Sequence, residues 1–113
     1  MIEVTFYSEG SRLTGFTVQG HSGLADPGED VLCAAVTSAV RLAECAVNDV
    51  LGLEAPVKVN QQDASVTLKL PRNLAGEADQ VCQTLLAALM VYLVQLQEEY
   101  PEHINAVSYT HLT

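Results

Sequence analysis

The first twenty residues alternate between apolar and polar positions. Ile2, Val4 and Phe6 alternate with polar residues, and a second alternating run follows a short polar turn. In a strand, successive side chains point to opposite faces, so an alternating pattern buries one face only. The pattern therefore predicts half-buried strands at residues 2–7 and 12–20. Because only a turn separates them, we expect the two strands to form a hairpin.

Two longer segments have the spacing of amphipathic helices. In residues 31–51, apolar side chains recur at steps of three and four and predict one buried face, made of Val36, Val40, Ala43, Val47 and Val50. In residues 74–100, the same spacing predicts an inner face of Val81, Leu85, Leu89, Tyr92 and Leu96. Gly52 and Pro101 are expected to end the two helices.

Shorter apolar runs complete the chain. Residues 57–59, 65–70 and 103–109 have the character of strands, which gives the order ββαββαβ. Two helices packed against one largely antiparallel sheet form an α+β fold. We expect a single domain over residues 1–109, followed by a tail at residues 110–113 that is either disordered or not native to the protein.

Composition indicates a globular domain. The chain has 113 residues, of which 49% are hydrophobic and 17% are charged, so it has enough apolar surface for one modest core. No continuous apolar run reaches the roughly 18 residues of a membrane span, and the first residues have no basic and apolar leader. We therefore expect a cytoplasmic protein that does not bind membranes.

The net charge of the protein favours some kinds of binding partner over others. The formal charge is −9, from 5 basic and 14 acidic residues. Direct binding of nucleic acid requires clustered lysine and arginine, so this charge argues against it. A basic protein partner suits the charge, although many proteins are acidic only for solubility.

The three cysteines have different surroundings in the predicted helices. Their spacing matches no zinc or haem motif, so we expect no metal and no cofactor. Cys82 aligns with leucines and is expected in the core, and inert packing is also the simpler interpretation of Cys45. Cys33 lies at the edge of a polar stripe, at the rim of the buried face, where a substrate can reach it.

The start of the first helix has two possible positions. Asp26 is one candidate cap, with Pro27 as the first helical residue. Asp30 is the other, which places Cys33 in the first turn and leaves residues 22–29 as a mobile loop. We favour Asp30, because Gly23, Pro27 and Gly28 make residues 22–29 more typical of a loop than of a helix. In that position, first-turn N–H groups and the helix dipole would stabilise a thiolate and a developing oxyanion.

A thiolate in catalysis needs a base, and His21 is the histidine nearest to Cys33 in sequence. It follows Gly20 at the expected end of the second strand. The spacing permits a Cys–His dyad, but it equally permits a loop histidine beside a buried thiol. In a non-catalytic binding module the two would not act together. Thiol redox chemistry ranks third, because there is no C-x-x-C motif.

The run "GHSG…GEDVLCAAV" resembles the ribosomal-processing cysteine protease family, called Prp. The family pattern is Gly-His, a short flexible segment, an acidic residue, two apolar residues, the cysteine and then small residues. The positions that match are Gly20, His21, Asp30, Cys33, Ala34 and Ala35. Length, acidity and the order of elements also fit across most of residues 1–109.

The resemblance implies a function. Members are small α+β homodimers that remove a short N-terminal extension from a large-subunit ribosomal protein. It implies that Cys33 is the nucleophile and His21 the general base, and that Asp30 orients the histidine or caps the helix. Thr37 stands where the family often has a serine. The loop at 22–29 would act as a lid, with flexible positions at Ser22, Gly23, Pro27 and Gly28. The alternative is a non-catalytic, ribosome-associated assembly module of the same fold.

Overall fold

A computed structural model describes residues 1–20 and 27–110, with only the backbone of residues 27–30, 109 and 110. The expected order of elements is confirmed. The described chain contains β1 (Ile2–Glu9), β2 (Arg12–Gln19), α1 (Pro27–Glu44), β3 (Val57–Asn60), β4 (Ser65–Lys69), α2 (Gly76–Glu99) and β5 (Ile104–Thr110). α1 continues directly into a π-helical segment (Cys45–Val50).

The five strands form one sheet in the order β3-β4-β2-β1-β5. β1 with β2, β2 with β4, and β4 with β3 pair antiparallel, whereas β5 pairs parallel with β1. The α+β class with a largely antiparallel sheet is therefore confirmed. β3 and β5 are the two edge strands of the described sheet.

The core lies between one face of the sheet and the helices. Ile2, Val4 and Phe6 point into it, as the alternation predicts. Phe6 is directly opposite Phe16 across β1 and β2, and the two ring centroids are 5.6 Å apart. Tilted aromatic pairs at this distance add stability beyond the area they bury. The hairpin thus contributes core residues that share one hydrophobic cluster with residues of both helices.

The C-terminal part of the first helical segment departs from α-helical geometry. Its predicted apolar face is buried as far as Val47, but Val50 is 77% exposed. The reason is the π-helical segment, whose turns are wider and advance less around the axis per residue than α-helical turns. The periodicity of an α-helix therefore predicts the wrong side for Val50.

The predicted inner face of α2 is partly wrong. Leu89 and Leu96 are buried as expected, but Val81 and Tyr92 are exposed and Leu85 is only half-buried. The other three core positions are each one residue along, so the buried face of α2 consists of Cys82, Leu86, Leu89, Leu93 and Leu96. α2 carries apolar residues on several sides, so two stripes satisfied the helical spacing. The stripe that packs against the sheet is the one that is buried.

Two side-chain amides tie the helical segments to the strands. Asn48 binds both backbone groups of Ala55, accepting from its N–H at 2.7 Å and donating to its carbonyl at 3.1 Å. Gln83 of α2 binds both backbone groups of Leu13 in the same way, at 2.7 Å each. These amides fix where the chain enters β3 and how the hairpin meets α2.

Both helical segments satisfy a length and composition test for membrane spans, at Val31–Val50 and Gly76–Glu99. Core helices pass the same test, and here each segment packs its apolar stripe against the sheet. The expected tail at 110–113 is shortened, because β5 includes Thr110. Its remaining residues lie outside the described part of the chain.

Candidate active site

Cys33 is the seventh residue of α1 and is half-buried. It packs against the edge of the hydrophobic core, while its neighbours Val31 and Ala34 are exposed. The predicted position at the rim of the buried surface is therefore confirmed. The thiol is held by core packing, yet it is not sealed from solvent.

The helix begins earlier than predicted. α1 starts at Pro27, so Asp30 lies within it and is not its cap, and Pro27 and Gly28 are helical rather than part of a loop. A proline suits the first helical position, because its φ angle is already helical and the N–H it lacks would have no partner there. The alternative that made Pro27 the first helical residue gave the correct start.

The earlier start changes what surrounds the thiol. Only the first four N–H groups of a helix are left without an intrahelical partner, and the effect of the dipole is strongest in the first turn. Cys33 is nearly two turns into α1. The first-turn stabilisation of a thiolate or an oxyanion expected from Asp30 as cap is therefore not supported by the geometry.

One side of α1 forms a polar stripe that we call the thiol flank, made of Cys33, Thr37, Glu44 and Asn48. Thr37 is one turn after Cys33 and is exposed, and Glu44 and Asn48 are half-buried. The other side of α1 meets α2 in an apolar groove, whose α1 residues include Ala35, Ala39 and Leu42. The thiol and this groove thus lie on opposite sides of one helix.

Gly20 immediately precedes His21 and has a constrained backbone. Its φ angle is +94°, which favours glycine, and an added Cβ would lie 2.5 Å from the carbonyl oxygen of Met1. Its N–H donates to the carbonyl of Ala64 at 3.0 Å. These contacts fix the chain at the end of β2, from which His21 continues. The sequence motif contains the glycine but gives no sign of the partners Met1 and Ala64.

His21, Ser22 and Gly23 lie outside the described residues, so the proposed base and the first part of the predicted lid stay predictions. The same holds for the orienting role of Asp30, whose backbone alone is described. Among the residues whose side chains the structure describes, 1–20 and 31–108, no group of three or more histidine, cysteine, aspartate or glutamate side chains is arranged to hold a metal ion.

The other two cysteines differ sharply from each other. Cys82 is completely buried, as predicted, and burial, followed by the charge of Asp79, raises the pKa of its thiol, with Arg12 opposing. Cys45 is exposed on the π-helical segment, so its expected packing role is wrong. Exposure alone therefore does not single out Cys33 among the thiols. Cys33 differs from the other two in being half-buried and packed against the edge of the core.

Solved structures share this fold. A structure of SMU.848 from Streptococcus mutans has a TM-score of 0.83 at 23% identity, covering 98% of this chain and 96% of the other. The ribosomal processing protease Prp from S. aureus, in complex with a substrate peptide, has a TM-score of 0.75 at 20% identity, covering 96% and 99%. The same S. aureus protease with a covalently linked product peptide has a TM-score of 0.74 at 21% identity, with the same coverage.

Sequence comparison agrees with the structural likeness. The ribosomal processing cysteine protease Prp of Bacillus subtilis (strain 168) is 28% identical over 109 residues, which are 96% of this chain and 97% of that protein. The family model described as cysteine protease Prp matches residues 1–105. The match includes β1, β2, both helices and Cys33. The chain therefore belongs to the ribosomal-processing cysteine protease family Prp.

Proposed function

We propose that this protein is a cysteine endopeptidase that removes a short N-terminal extension from a large-subunit ribosomal protein. Cys33 is the nucleophile and His21 is the general base. The observation that carries the proposal is the position of Cys33, half-buried at the rim of the core on a helix that follows β2. The backbone of Gly20, fixed beside Met1 and Ala64, supports a defined starting point for His21 at the end of β2.

The reaction is an acyl transfer in two steps. His21 takes the proton of Cys33, and the thiolate Sγ attacks the carbonyl carbon of the scissile peptide bond. The C–N bond breaks as the imidazolium protonates the leaving amine, which leaves a thioester on Cys33. His21 then deprotonates a water molecule that attacks the thioester. The C–S bond breaks, the acid product is released, and the imidazolium of His21 returns its proton to the Cys33 thiolate.

The charge of the protein suits this substrate. Ribosomal proteins are basic, and a chain with net charge −9 attracts a basic partner over long distances. Long-range attraction of this kind raises the rate at which the two proteins meet. We propose a peptide substrate in the cytoplasm, with no direct binding of nucleic acid or membrane and no cofactor.

We also propose that the protein is a homodimer that associates through the outer surface of its helices. Exposed apolar residues cluster there, among them Leu42, Val91 and Tyr92. The groove between α1 and α2 and the adjoining face of α2 are lined entirely by uncharged residues among those described. Two copies can therefore meet there without bringing their acidic residues together. Leu86 and Leu93, which lie on the opposite side of α2, are buried in the core and are not available for such an interface.

A cleavage assay tests the function. The protein is incubated with the precursor of a large-subunit ribosomal protein that carries an N-terminal extension, and the product masses are measured. We expect cleavage at one bond, lost in Cys33→Ser and in His21→Ala. Cys45→Ser is the matched control, because it changes an exposed thiol on the same helical segment, and it should cleave normally.

The alternative is a non-catalytic, ribosome-associated module of the same fold. It predicts that a correctly folded protein cleaves no precursor and that Cys33 reacts slowly with alkylating reagents at pH 6. Cleavage by the wild-type protein that persists in both Cys33→Ser and His21→Ala would instead contradict the assigned residues.

A further inference from the structure

The side chains of two β3 valines lie on the core side of the sheet, but the helices do not cover them. Val57 is opposite Leu68 and Val59 is opposite Val66, and directly opposed residues share a face. Leu68 is completely buried, whereas Val57 is 37% exposed and Val59 is 62% exposed. The helices therefore cover β4 but leave the same face of β3 open.

The uncovered face lies on the same side of α1 as the thiol. α2 occupies the opposite side of α1, across the apolar groove. On the thiol flank, Asn48 binds the backbone of Ala55, which is two residues before β3 begins. The thiol flank thus faces the segment that leads into β3, and the open valines lie beyond it.

The direction of α1 places Cys33 at one particular end of this face. α1 begins after β2 has ended at Gln19, and the helical segment finishes near Ala55. Gln19 is paired with Ser65, which in turn is paired with Asn60 at the end of β3. Cys33, near the start of α1, is therefore closer to the Val59 end of β3 than to the Val57 end.

We infer that Val57, Val59 and the half-buried Val66, which we call the valine surface, bind apolar side chains of the substrate next to the scissile bond. This inference rests on the proposed function and identifies the residues that select the substrate. An exposed apolar surface beside a reactive side chain commonly marks a binding site. The acidic residues Glu44, on the thiol flank, and Glu54, before β3, suit a peptide that also carries basic residues.

The occupant is an extended peptide rather than a folded partner. The exposed part of the valine surface, Val57 and Val59, lies on a single edge strand, and alternate side chains of an extended chain fall on one side. Val57 and Val59 have the same spacing of two residues. Apolar side chains at alternate positions of the substrate would therefore match the valines in register.

A double-mutant cycle tests the inference. Val59→Ser is compared with Val107→Ser, which alters an exposed valine on the other edge strand and the opposite face. Each protein is assayed with a peptide spanning the cleaved bond and with versions in which one apolar residue is replaced by alanine. We expect kcat/KM to fall about tenfold in Val59→Ser, mainly through KM, and to stay unchanged in Val107→Ser.

The coupling between enzyme and peptide gives the sharper result. An alanine at the matching peptide position should cost the wild-type enzyme about tenfold in kcat/KM and the Val59→Ser enzyme no more than about twofold. Cleavage by the wild type with no coupling at any position would overturn this inference and leave the proposed function intact. A loss of dimer in Val59→Ser would assign the surface to a second copy and also overturn it. No cleavage by the wild type would overturn the proposed function and this inference with it.

Discussion

The two sides of α1 have opposite character. The side towards α2 carries small and apolar residues, including Ala35, Ala39 and Leu42, and among the described residues no charged one lines the groove they help to form. The thiol flank carries Cys33, polar residues and a half-buried carboxylate, and its Asn48 end binds the segment that leads into β3, the edge strand whose valines are exposed. One helix therefore separates a surface suited to association from a surface suited to chemistry.

This separation has a physical consequence. Because the core stripe of α1 lies between the two sides, a substitution on one exposed side does not need to disturb the other. A dimer formed through the helices would leave the thiol flank accessible to a peptide. Variants on the two sides should consequently affect different measurements.

The largest effect is expected at Gly20. In Gly20→Ala, the new Cβ meets the Met1 carbonyl and the backbone is held at a positive φ, so the free energy of unfolding should fall by about 3 kcal/mol. Gly10→Ala is the matched control, with positive φ but open space around it, and should cost about 1 kcal/mol. Denaturant titration measures both. Equal losses would show that the contact with Met1 is unimportant.

The side of α1 that faces α2, which we propose takes part in the dimer, is tested at Leu42. In Leu42→Asp, a charge is placed in the uncharged groove and like charges meet across the proposed dimer, so the dissociation constant should rise by at least about thirtyfold. Val50→Asp changes an equally exposed residue outside the groove and should leave the dimer intact. Sedimentation equilibrium gives both constants. A wild-type protein that sediments only as a 12.1 kDa monomer would contradict the proposed dimer.

The side-chain amides of Asn48 and Gln83 are expected to have similar effects on stability but different effects on activity. Asn48→Ala and Gln83→Ala each remove two hydrogen bonds to one residue, and each should lower the free energy of unfolding by about 1–2 kcal/mol. Only Asn48→Ala should also raise KM for the peptide, because Asn48 fixes the chain entering β3. Steady-state kinetics and thermal unfolding on the same samples decide this. A similar rise in KM for Gln83→Ala would argue against the distinction.

The smallest effect concerns Cys82 and alkaline pH. Burial raises the pKa of its thiol from the ordinary value of 9.0, so above pH 9 the unfolded chain loses this proton more readily than the folded protein. Stability should be unaffected by this group below pH 9 and should then fall by at most about 1.4 kcal/mol per pH unit.

Cys82→Ala should be less stable at neutral pH, because it leaves a small cavity, but it should lose this alkaline part of the decline. Cys45→Ala is the control, since its thiol is exposed, and should decline as the wild type does. Unfolding by urea between pH 7 and pH 10 provides the comparison. A decline of the same size in Cys82→Ala would assign the pH dependence to other groups.

The sequence predicted the order of elements, because alternation and helical spacing differ strongly along the chain. It placed Cys33 correctly at the rim of the core. It misplaced Tyr92 and Val50, because α2 is apolar on more than one side and a π-helical segment changes the angle between residues. These outcomes depend on tertiary packing, which local spacing does not encode.

The start of α1 was misjudged for a different reason. Glycine and proline near residue 27 are as common in loops as at helix starts, and Asp26 and Asp30 were both acceptable caps by residue type. The open face of β3 has no local signal at all, because the valines of a covered strand and of an uncovered strand have the same local pattern. Only the position of the helices over the sheet distinguishes Val59 from Val4.

The most direct test is the order in which the three cysteines react with iodoacetamide at pH 6, followed by peptide mass mapping. Exposure alone predicts that Cys45 reacts before Cys33 and that Cys82 reacts last. A nucleophile activated by His21 predicts that Cys33 reacts first in the wild type and falls behind Cys45 in His21→Ala. If Cys45 reacts first in the wild type as well, the assignment of Cys33 as the activated thiol is contradicted.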